Sequence, residues 1–346
     1  MVLDICVVVP ARDEARVIEA TLRSLIAAGI PPGHIYLVDD CSSDNTGEIG
    51  RKLGVIVLRN DPNLGKAHAI ARAAELFKLH ERFEFIALMD ADTLVNKEYF
   101  VEMRKAFDDP GVVTACGRPK SRPRNWITAY RANGYWNTHA IFRKGQTKMG
   151  VIMVAPGCST VYRASIWPQL VWSKDTIVED VDVTLQIHKK KLGRIVYVPT
   201  AVVHTQDPQT LVGYGKQMFR WNTGNWQAYR KHKVYRLRSG FDAVCSLLFV
   251  EGLLSSVAFL MMPYLMMKYD YFVDVFLINV GIVSTFALAA SVAERRKDIL
   301  LSAPLFPLMQ LYDSAIFVMA FCKVIILGQA VTTWYTPDRY IQEKIE

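Results

Sequence analysis

The chain has few cysteines, and their spacing excludes the patterns that cross-link or metallate small domains. Six cysteines are scattered over 346 residues, and no two of them form a C-x-x-C pair. Structural zinc sites use closely spaced ligand pairs, and disulfide frameworks are typical of short secreted chains that are dense in cysteine. We therefore expect neither, and we expect the polar part of the chain to lie in a reducing cytosol.

The chain also lacks internal repeats, low-complexity stretches and the features of a secretory signal. Its first residues, MVLDICVVVPARDE, contain acids and only a short apolar run. A signal peptide needs a basic start and a longer apolar region. We interpret this segment as a first β-strand.

Charged residues are scarce in one part of the chain, residues 241–328, where Leu, Val, Ala, Phe and Met dominate. The net charge is +8, and much of the basic excess lies beside the apolar runs of this part: Arg230, Lys231, Lys233, Arg236 and Arg238 precede the first run, and Arg295, Arg296 and Lys297 follow the second. Basic flanks are typical of the cytoplasmic ends of membrane helices. No nucleic-acid-binding motif accompanies the charge, so we expect no nucleic-acid partner. The pattern predicts a cytosolic domain over residues 1–240 and a membrane region over residues 241–346.

Three apolar stretches lie in the predicted membrane region. Residues 243–262 and 272–293 each contain one acid and are long enough to span a bilayer. Residues 304–328 contain two prolines and two charges, and basic residues lie on both sides of them. The bias of basic residues toward the cytoplasm favours two spans followed by an interfacial helix. A third transmembrane helix is the alternative.

Short apolar runs alternate with helical patterns in the first half of the chain. The predicted strands cover residues 5–9, 35–38, 55–58 and 85–89, and the clearest helices cover residues 14–28 and 66–79. Such alternation predicts an α/β fold with a mostly parallel, Rossmann-like sheet. Ligands of these sheets bind beyond the carboxyl ends of the strands. Polar residues at those ends therefore carry the most functional weight.

Two acidic pairs follow predicted strands. Asp39 and Asp40 end the second strand, where a carboxylate can accept hydrogen bonds from uracil or ribose. Asp90 and Asp92 end the fourth strand, and side chains at i and i+2 of extended backbone point the same way. Both can face one Mg²⁺ or Mn²⁺ ion bound to a diphosphate. For the first pair the alternative is that Ser43 or Asp44 merely caps the next helix, and for the second pair it is a simple turn or cap.

Three further segments contain residues suited to phosphates and sugars. Lys66 opens a helix, where backbone N–H groups and a cation favour an anion. Glu179, Asp180 and Asp182 begin another helix, and Asp180 is our candidate for the base that an inverting transfer needs. Spacing alone does not choose among these acids. A last set, Gln217, Arg220 and Trp221, shares one face of a predicted helix and combines amide, guanidinium and indole.

An aromatic segment, residues 122–144, separates the two halves of the predicted cytosolic domain. It carries Trp126, Tyr130, Tyr135, Trp136 and Phe142 among basic residues. A helix in a membrane interface and an ordinary domain helix both agree with this composition.

Taken in order, these motifs resemble the family 2 glycosyltransferases with the GT-A fold, in particular the membrane-integrated Q-x-x-R-W group. The elements that carry the likeness run along the chain as VVVPARDE, VDDCSSDNT, NLGKAHA, MDADT, GCSTVYR, VEDVD, TQDPQTLVGYGKQMFRW and WYTPDR. The group includes cellulose, chitin, hyaluronan and poly-N-acetylglucosamine synthases, and ceramide glucosyltransferase carries a close variant. Two motifs depart from the usual forms: P-x-Y-N-E is PARDE here, and T-E-D is VED.

The resemblance implies roles for individual residues. Nucleotide-sugar binding would fall to Pro10, Asp13, Glu14, Asp39, Asp40, Lys66 and Asp90, and metal binding to Asp92 with Asp90. Asp180 would be the catalytic base. Diphosphate and acceptor binding would involve Gly157, Cys158, Ser159, Glu179, Gln217, Arg220, Trp221, Trp334 and Arg339, the last two from a loop that closes over the site.

The resemblance also implies an activity: inverting, metal-dependent transfer from a UDP-sugar to a growing polysaccharide or oligosaccharide. Magnesium or manganese would be the cofactor, and the enzyme would lie in the plasma membrane in contact with its lipids. One alternative is transfer of a single sugar to a ceramide- or polyprenyl-type lipid. A more remote one is a non-catalytic subunit that binds nucleotide. Whether the chain forms a homo-oligomer stays open.

Overall fold

Eight strands form one sheet at the centre of the chain in the computed structural model, which describes residues 4–329 and 339–340. The strands are β1 Ile5–Ala11, β2 Ile35–Asp39, β3 Ile56–Arg59, β4 Phe85–Leu88, β5 Leu94–Val95, β6 Val112–Ser121, β7 Thr160–Arg163 and β8 Arg194–Thr205. Their order across the sheet is β3-β2-β1-β4-β7-β6-β8-β5.

Helices cover both faces of the sheet and then continue beyond it. They are α1 Ile18–Ala27, α2 Thr46–Lys52, α3 Lys66–Leu76, α4 Leu79–Arg82, α5 Tyr99–Ala106, α6 Trp126–Asn137, α7 Lys144–Met149, α8 Glu179–Lys189, α9 Leu211–Lys231, α10 Gly240–Lys268, α11 Tyr271–Glu294, α12 Lys297–Ser302 and α13 Phe306–Phe321. A π-helical turn, Thr138–Arg143, joins α6 to α7.

The first four strands agree with the alternating pattern of the sequence. β1 pairs in parallel with β2 and with β4, and β2 pairs in parallel with β3. Successive side chains of β1 point to opposite faces, so Val7 and Val9 pack toward α1 while Cys6 and Val8 pack toward α3. Because both faces are buried, the strand is a continuous apolar run.

The second half of the sheet is mixed, and the sequence pattern predicted no strand directions for this part of the chain. β7 runs antiparallel to both β4 and β6, and β5 runs antiparallel to β8. β6 and β8 are parallel. The order of the strands places β7 directly beside β4, so the loop before β7 lies next to the residues that follow β4.

Three helical segments in the described ranges are long and apolar enough to cross a membrane: Gly240–Lys268, Tyr271–Glu294 and Lys297–Ile326. In α10 the buried residues lie near its start, from Phe241 to Ser246, and in α11 near its end, from Val283 to Ser291. The two helices therefore form a hairpin whose far end exposes apolar side chains. At the end nearer the sheet, Glu294 forms an ion pair with Lys120 of β6 at 2.8 Å.

The third apolar segment lies beside α9 rather than beyond the hairpin. Near the start of α9, the Tyr312 hydroxyl donates to the Leu211 carbonyl at 3.3 Å, and Tyr214 donates to Asp313 at 2.7 Å. Near its end, Arg230 donates to the Val324 carbonyl at 2.8 Å. Residue numbers increase together along the two segments, so α13 and the π-helical turn that follows it, Cys322–Ile326, run parallel to α9 between Leu211 and Arg230.

Candidate functional site

The acids that follow β4 and those that begin α8 meet at one lysine. Lys66, the first residue of α3, donates to Asp90 at 2.6 Å and lies 2.6 Å from a carboxylate oxygen of Glu179. Its own burial would lower the pKa of Lys66, but the charges of Asp90 and Glu179 raise it well above the ordinary value. The ammonium is therefore permanently charged and holds the two acidic segments together.

Backbone amides hold the Asp180 carboxylate in place. One oxygen accepts from the Gly157 N–H at 3.2 Å, and the other accepts from the Val181 N–H at 2.8 Å. A Cβ at position 157 would lie 3.1 Å from the Lys66 ammonium and 3.2 Å from Glu179. A glycine at this position therefore keeps the loop close to both charged groups.

The environment of Asp180 separates it from the two acids nearest to it in sequence. Burial and the charge of Glu179 raise the pKa of Asp180 to about 6, although Lys66 opposes the shift. Glu179 is paired with Lys66, whereas Asp182 is bonded to His232 at 2.7 Å and to Lys231 at the end of α9. A carboxylate whose pKa lies near neutrality is the best suited of the three to accept a proton at physiological pH.

Arg339 contacts two further acids of the site, Glu14 and Asp92. Its guanidinium donates to both oxygens of Glu14, at 2.6 Å and 2.8 Å, and also to Asp92. Burial raises the pKa of Glu14 and of Asp92 even though Arg339 opposes both shifts. For Asp90, burial acts in the same direction, but Lys66 outweighs it and the net pKa is lowered.

The carboxylate oxygens that follow β4 are ligands suited to a hard divalent cation. Asp90 and Asp92 are both carboxylates, and the cluster around them already attracts the positive side chains of Lys66 and Arg339. No group of three or more His, Cys, Asp or Glu side chains within residues 4–329 and 339–340 forms a complete ligand cluster. Magnesium is commonly held by one or two carboxylates plus substrate phosphates and water, so two acids are sufficient.

Asp39 and Asp40 have structural contacts at the edge of the same region. Asp39 is fully buried and accepts from Arg59 at 2.8 Å and from the Ser42 N–H. Asp40 accepts from the backbone N–H groups of Leu64 and Gly65 and so fixes the loop that leads into Lys66. Both acids thus shape the walls around the site.

The start of the chain packs against the loop that follows β2. Asp13 has a positive φ of 56° and accepts from the Ser43 N–H at 2.7 Å. Pro10 lies in β1, in register with Val38 of β2. These contacts tie the loop that carries Glu14 to the one that carries Asp40.

Helix α9 carries the amide, guanidinium and indole to the same region. Gln217 is buried, and its side-chain oxygen has no hydrogen-bond partner among the described residues. Burial lowers the pKa of Arg220, while the charges of Glu179, Asp90 and Asp180 oppose that shift, so Arg220 lies in the field of all three acids. Trp221 is partly buried beside Ile127 and Tyr214.

Three predicted residues remain: Cys158, Ser159 and Trp334. Cys158 lies in the field of Asp90 and Asp92, and burial raises the pKa of its thiol. Ser159 is fully buried against the sheet, where its N–H donates to the Pro156 carbonyl. Trp334 lies outside the residues that the structure describes.

One set of contacts near Trp221 has no counterpart among the residues predicted from the sequence. The Arg131 guanidinium carbon lies 4.9 Å from the centre of the Trp221 ring and 4.5 Å from that of Tyr135. Its Nε donates to Asp207 at 3.0 Å. The sequence offered two signals, the aromatic segment that contains Arg131 and the TQDPQT motif that contains Asp207, but no indication that they pair.

Comparison with known proteins gives matches over most of the chain. Residues 4–224 match the model of a family described as Glycosyltransferase like family 2. The chain is 26% identical over 359 residues to a poly-beta-1,6-N-acetyl-D-glucosamine synthase of Staphylococcus epidermidis, with 94% of this chain and 85% of the relative covered. A protein of the same name from Staphylococcus aureus strain COL is 28% identical over 221 residues, which cover 61% of this chain and 52% of that protein.

A solved structure shares the fold. The mannosyltransferase of Pyrobaculum calidifontis in complex with GDP-Man and Mn²⁺ superposes with a TM-score of 0.62 at 18% sequence identity. The superposition covers 88% of this chain and 87% of that protein.

Proposed function

This chain belongs to the family described as Glycosyltransferase like family 2, and from that premise we propose that it transfers a sugar from a UDP-sugar to a growing polysaccharide or oligosaccharide at a membrane. One observation carries the proposal: the acids at the end of β4 and at the start of α8 converge on Lys66, within the field of Arg220. The β4 acids suit a nucleotide diphosphate with its cation, and Asp180 suits an acceptor hydroxyl. A polysaccharide product is supported by the similarity to a relative named as a poly-beta-1,6-N-acetyl-D-glucosamine synthase.

The proposed reaction is a single displacement that inverts the anomeric carbon. The acceptor hydroxyl oxygen forms a bond to that carbon, its proton moves to Asp180, and the bond to the diphosphate breaks with its electron pair leaving on UDP. The two backbone N–H groups that hold Asp180 fix the direction in which the carboxylate accepts the proton. Lys66 and Arg220 are placed to stabilise the charge that develops on the leaving diphosphate.

We assign cation binding to Asp90 and Asp92. A bound Mg²⁺ or Mn²⁺ would neutralise part of the charge on the departing diphosphate. The similar mannosyltransferase structure contains Mn²⁺ and a nucleotide sugar, which supports a divalent cation here as well. Pro10, Asp13, Asp39 and Asp40 would shape the uridine pocket, with Glu14 beside them.

We assign acceptor binding to the face of α9 and to the loop that precedes β7. The buried Gln217 side-chain oxygen is a free acceptor for a sugar hydroxyl, as far as the described residues show. Trp221 offers an aromatic surface for a sugar ring. Gly157 and Cys158 would border the acceptor, since Gly157 contacts the proposed base directly.

A second candidate is transfer of one sugar to a membrane lipid, and one cavity favours it. An apolar cavity lies between α8, α9 and α10, lined in part by Val181, Leu185, Tyr229, Cys245 and Phe249. Val181 directly follows the proposed base, and Phe249 lies in the helix that we expect to enter the membrane. The cavity has a volume of about 60 Å³, so the end of a hydrocarbon chain could lie close to the reacting hydroxyl.

The direct test of the proposed activity uses purified full-length protein in nanodiscs with Mg²⁺ or Mn²⁺. A panel of UDP-sugars is offered, and UDP release is measured, with UDP-N-acetylglucosamine as the first donor. We expect release with one member of the panel and retention of the sugar in a larger product. A folded protein that turns over none of the panel with either metal would contradict the proposal.

The raised pKa of Asp180 predicts how activity depends on pH. A base must be deprotonated, so protonation of Asp180 below pH 6 should lower kcat/KM about tenfold for each pH unit. Above that pH the profile should be flat until another group titrates. The measurement is kcat/KM for the active donor between pH 4.5 and 8, with Asp180→Asn as the control, whose residual rate should lack this step. A profile that is flat down to pH 4.5 would contradict the assignment.

We further propose that residues 1–240 form a cytosolic domain and that only α10 and α11 cross the membrane. Helix α13 and the π-helical turn after it, Cys322–Ile326, lie along α9. A Cβ at Gly215 of α9 would lie 1.9 Å from the Tyr312 hydroxyl of α13, so the two helices are in close contact. Because α9 carries Arg220 into the active site, α13 cannot leave that level to span the bilayer. The third apolar segment is then an interfacial helix.

Cysteine labelling tests this topology. In a background without the thiols of Cys41, Cys158 and Cys322, single cysteines replace Asp270 in the hairpin turn, Leu327 after α13, and Val101 on α5. We expect an impermeant maleimide to label Asp270→Cys in intact cells. Leu327→Cys and Val101→Cys should react only after lysis. Labelling of Leu327→Cys together with Asp270→Cys would instead mean three spans.

A further inference from the structure

We propose that two adjacent residues, Gln206 and Asp207, position the binding residues for different substrates: Asp207 holds the acceptor-side Trp221 through Arg131, and Gln206 holds the donor-side Arg339 through the backbone of Tyr340. Both residues follow β8 and precede α9. The inference rests on the proposed function, because it takes its donor and acceptor sides from there.

The acceptor branch runs from Asp207 through Arg131 to Trp221, and it begins with a buried ion pair. The Asp207 side chain is 1% exposed and that of Arg131 is 11% exposed, and the two are joined at 3.0 Å. Arg131 also donates to the Tyr135 hydroxyl at 2.8 Å, and that hydroxyl donates to Asp207 at 3.3 Å. A buried guanidinium without its carboxylate is strongly unfavourable, so Asp207 fixes where Arg131 lies.

Arg131 in turn fixes Trp221. Its planar guanidinium lies against the indole and against the Tyr135 ring, an arrangement that depends on cation–π attraction and on shape. The indole can therefore adopt few orientations. An ordered ring is better prepared to stack on a sugar than a mobile one, because less freedom is lost on binding.

The donor branch runs from Gln206 through the backbone of Tyr340 to Arg339, and it begins with a pair of hydrogen bonds. The Gln206 side chain donates to the Tyr340 carbonyl at 2.8 Å and accepts from the Tyr340 N–H at 3.2 Å. The Tyr340 ring lies 4.5 Å from the Arg124 guanidinium carbon, which adds a second hold. The preceding residue, Arg339, is thereby held with its guanidinium between Glu14 and Asp92.

The two branches predict that substitutions at neighbouring residues raise the KM of different substrates. Asp207→Asn keeps the shape but removes the charge, so the acceptor KM should rise about 10-fold with the donor KM changed less than about 2-fold. Gln206→Met removes both hydrogen bonds, so the donor KM should rise about 5-fold with the acceptor KM little changed. A residue with a merely structural role would shift both constants together.

The experiment measures both KM values for the full chain in nanodiscs, with UDP-N-acetylglucosamine as donor and a short β-1,6-linked N-acetylglucosamine oligosaccharide as acceptor. Val212→Ala, at an exposed position of α9, is the matched control and should change neither constant. Tyr135→Phe keeps the ring and loses only the hydroxyl, so it gives a milder acceptor effect if Asp207→Asn fails to fold. Arg131→Lys keeps the charge but not the planar group, and it should show most of the acceptor effect.

A double variant separates positioning from direct contact. If Asp207 acts through Arg131, Asp207→Asn combined with Arg131→Lys should cost no more than the larger single change. Additive losses would overturn the acceptor branch, since Asp207 would then bind the sugar through its second oxygen, which has no hydrogen-bond partner among the described residues. A fall in donor KM for Gln206→Met would overturn the donor branch, because Arg339 would then compete with the donor.

Failure of the proposed function can be distinguished from failure of the roles given to Gln206 and Asp207. If the wild-type chain transfers no sugar from any UDP-sugar, the proposed function is wrong. If it does, and Gln206→Met and Asp207→Asn raise both KM values equally, only the division between the two residues is wrong.

Discussion

Asp180→Asn should lower kcat by about 10²–10⁴-fold while leaving donor binding nearly unchanged, because general-base catalysis is worth about that much. Asparagine keeps the size of the side chain and can still accept from the Gly157 N–H, but it cannot take up the acceptor's proton. The measurement is kcat for sugar transfer together with the donor Kd from titration of the purified protein.

The matched control is Asp182→Asn, which lies on the same helix but contacts His232 and Lys231. We expect it to lower thermal stability more than turnover. If Asp180→Asn lost only a few-fold in kcat and Glu179→Gln lost far more, the base would be Glu179.

Asp92→Asn should lower activity at least about 100-fold at a fixed metal concentration, and a chelator should abolish activity in the wild type. Changing groups that merely orient metal ligands already costs about 10–100-fold, so loss of a ligand should cost more. The measurement is sugar transfer as a function of Mg²⁺ or Mn²⁺ concentration, with folding checked by circular dichroism.

Asp92 also pairs with Arg339, so the control must separate the two contacts. Glu14→Gln weakens the hold on Arg339 without removing a proposed ligand. We expect it to raise the donor KM and leave the metal concentration for half-maximal activity unchanged. Equal metal dependence in Asp92→Asn and in the wild type, or full activity with chelator, would rule out a metal at this position.

The family and the fold class were readable from the sequence, and both predictions are confirmed. The GT-A assignment agrees with the family match over residues 4–224 and with the fold of the similar mannosyltransferase. The runs predicted as strands at residues 5–9, 35–38 and 85–89 are β1, β2 and β4 within two residues. They were visible because a strand buried on both faces is a continuous apolar run.

The mixed half of the sheet was not readable in the same way. β6 and β8 contain polar and charged residues such as Arg118, Lys120 and His204, which interrupt the apolar pattern. The antiparallel direction of β7 depends on the path of the chain through the 38 residues between β6 and β7, and no local pattern encodes such a path.

The candidate site also combines residues that local sequence patterns indicate with contacts that only the fold reveals. Acids at strand ends and a helical Q-x-x-R-W face are local signals, and the structure places Asp90, Asp180 and Arg220 within reach of each other's charges. The choice of Asp180 over Asp182 and Glu179 needed the partners of those two acids, His232 and Lys66, which lie far away in sequence. Arg131 and Asp207 are 76 residues apart, so only the fold reveals that they pair.

Product analysis tests the central claim most directly. Purified wild-type protein in nanodiscs is incubated with radiolabelled UDP-N-acetylglucosamine, divalent metal and the β-1,6-linked oligosaccharide, and the label is followed after extraction with organic solvent. We predict that the label stays in aqueous, high-mass material and that Asp180→Asn forms almost none of it. Label that moves wholly into the organic phase would contradict polysaccharide extension and identify a lipid acceptor instead.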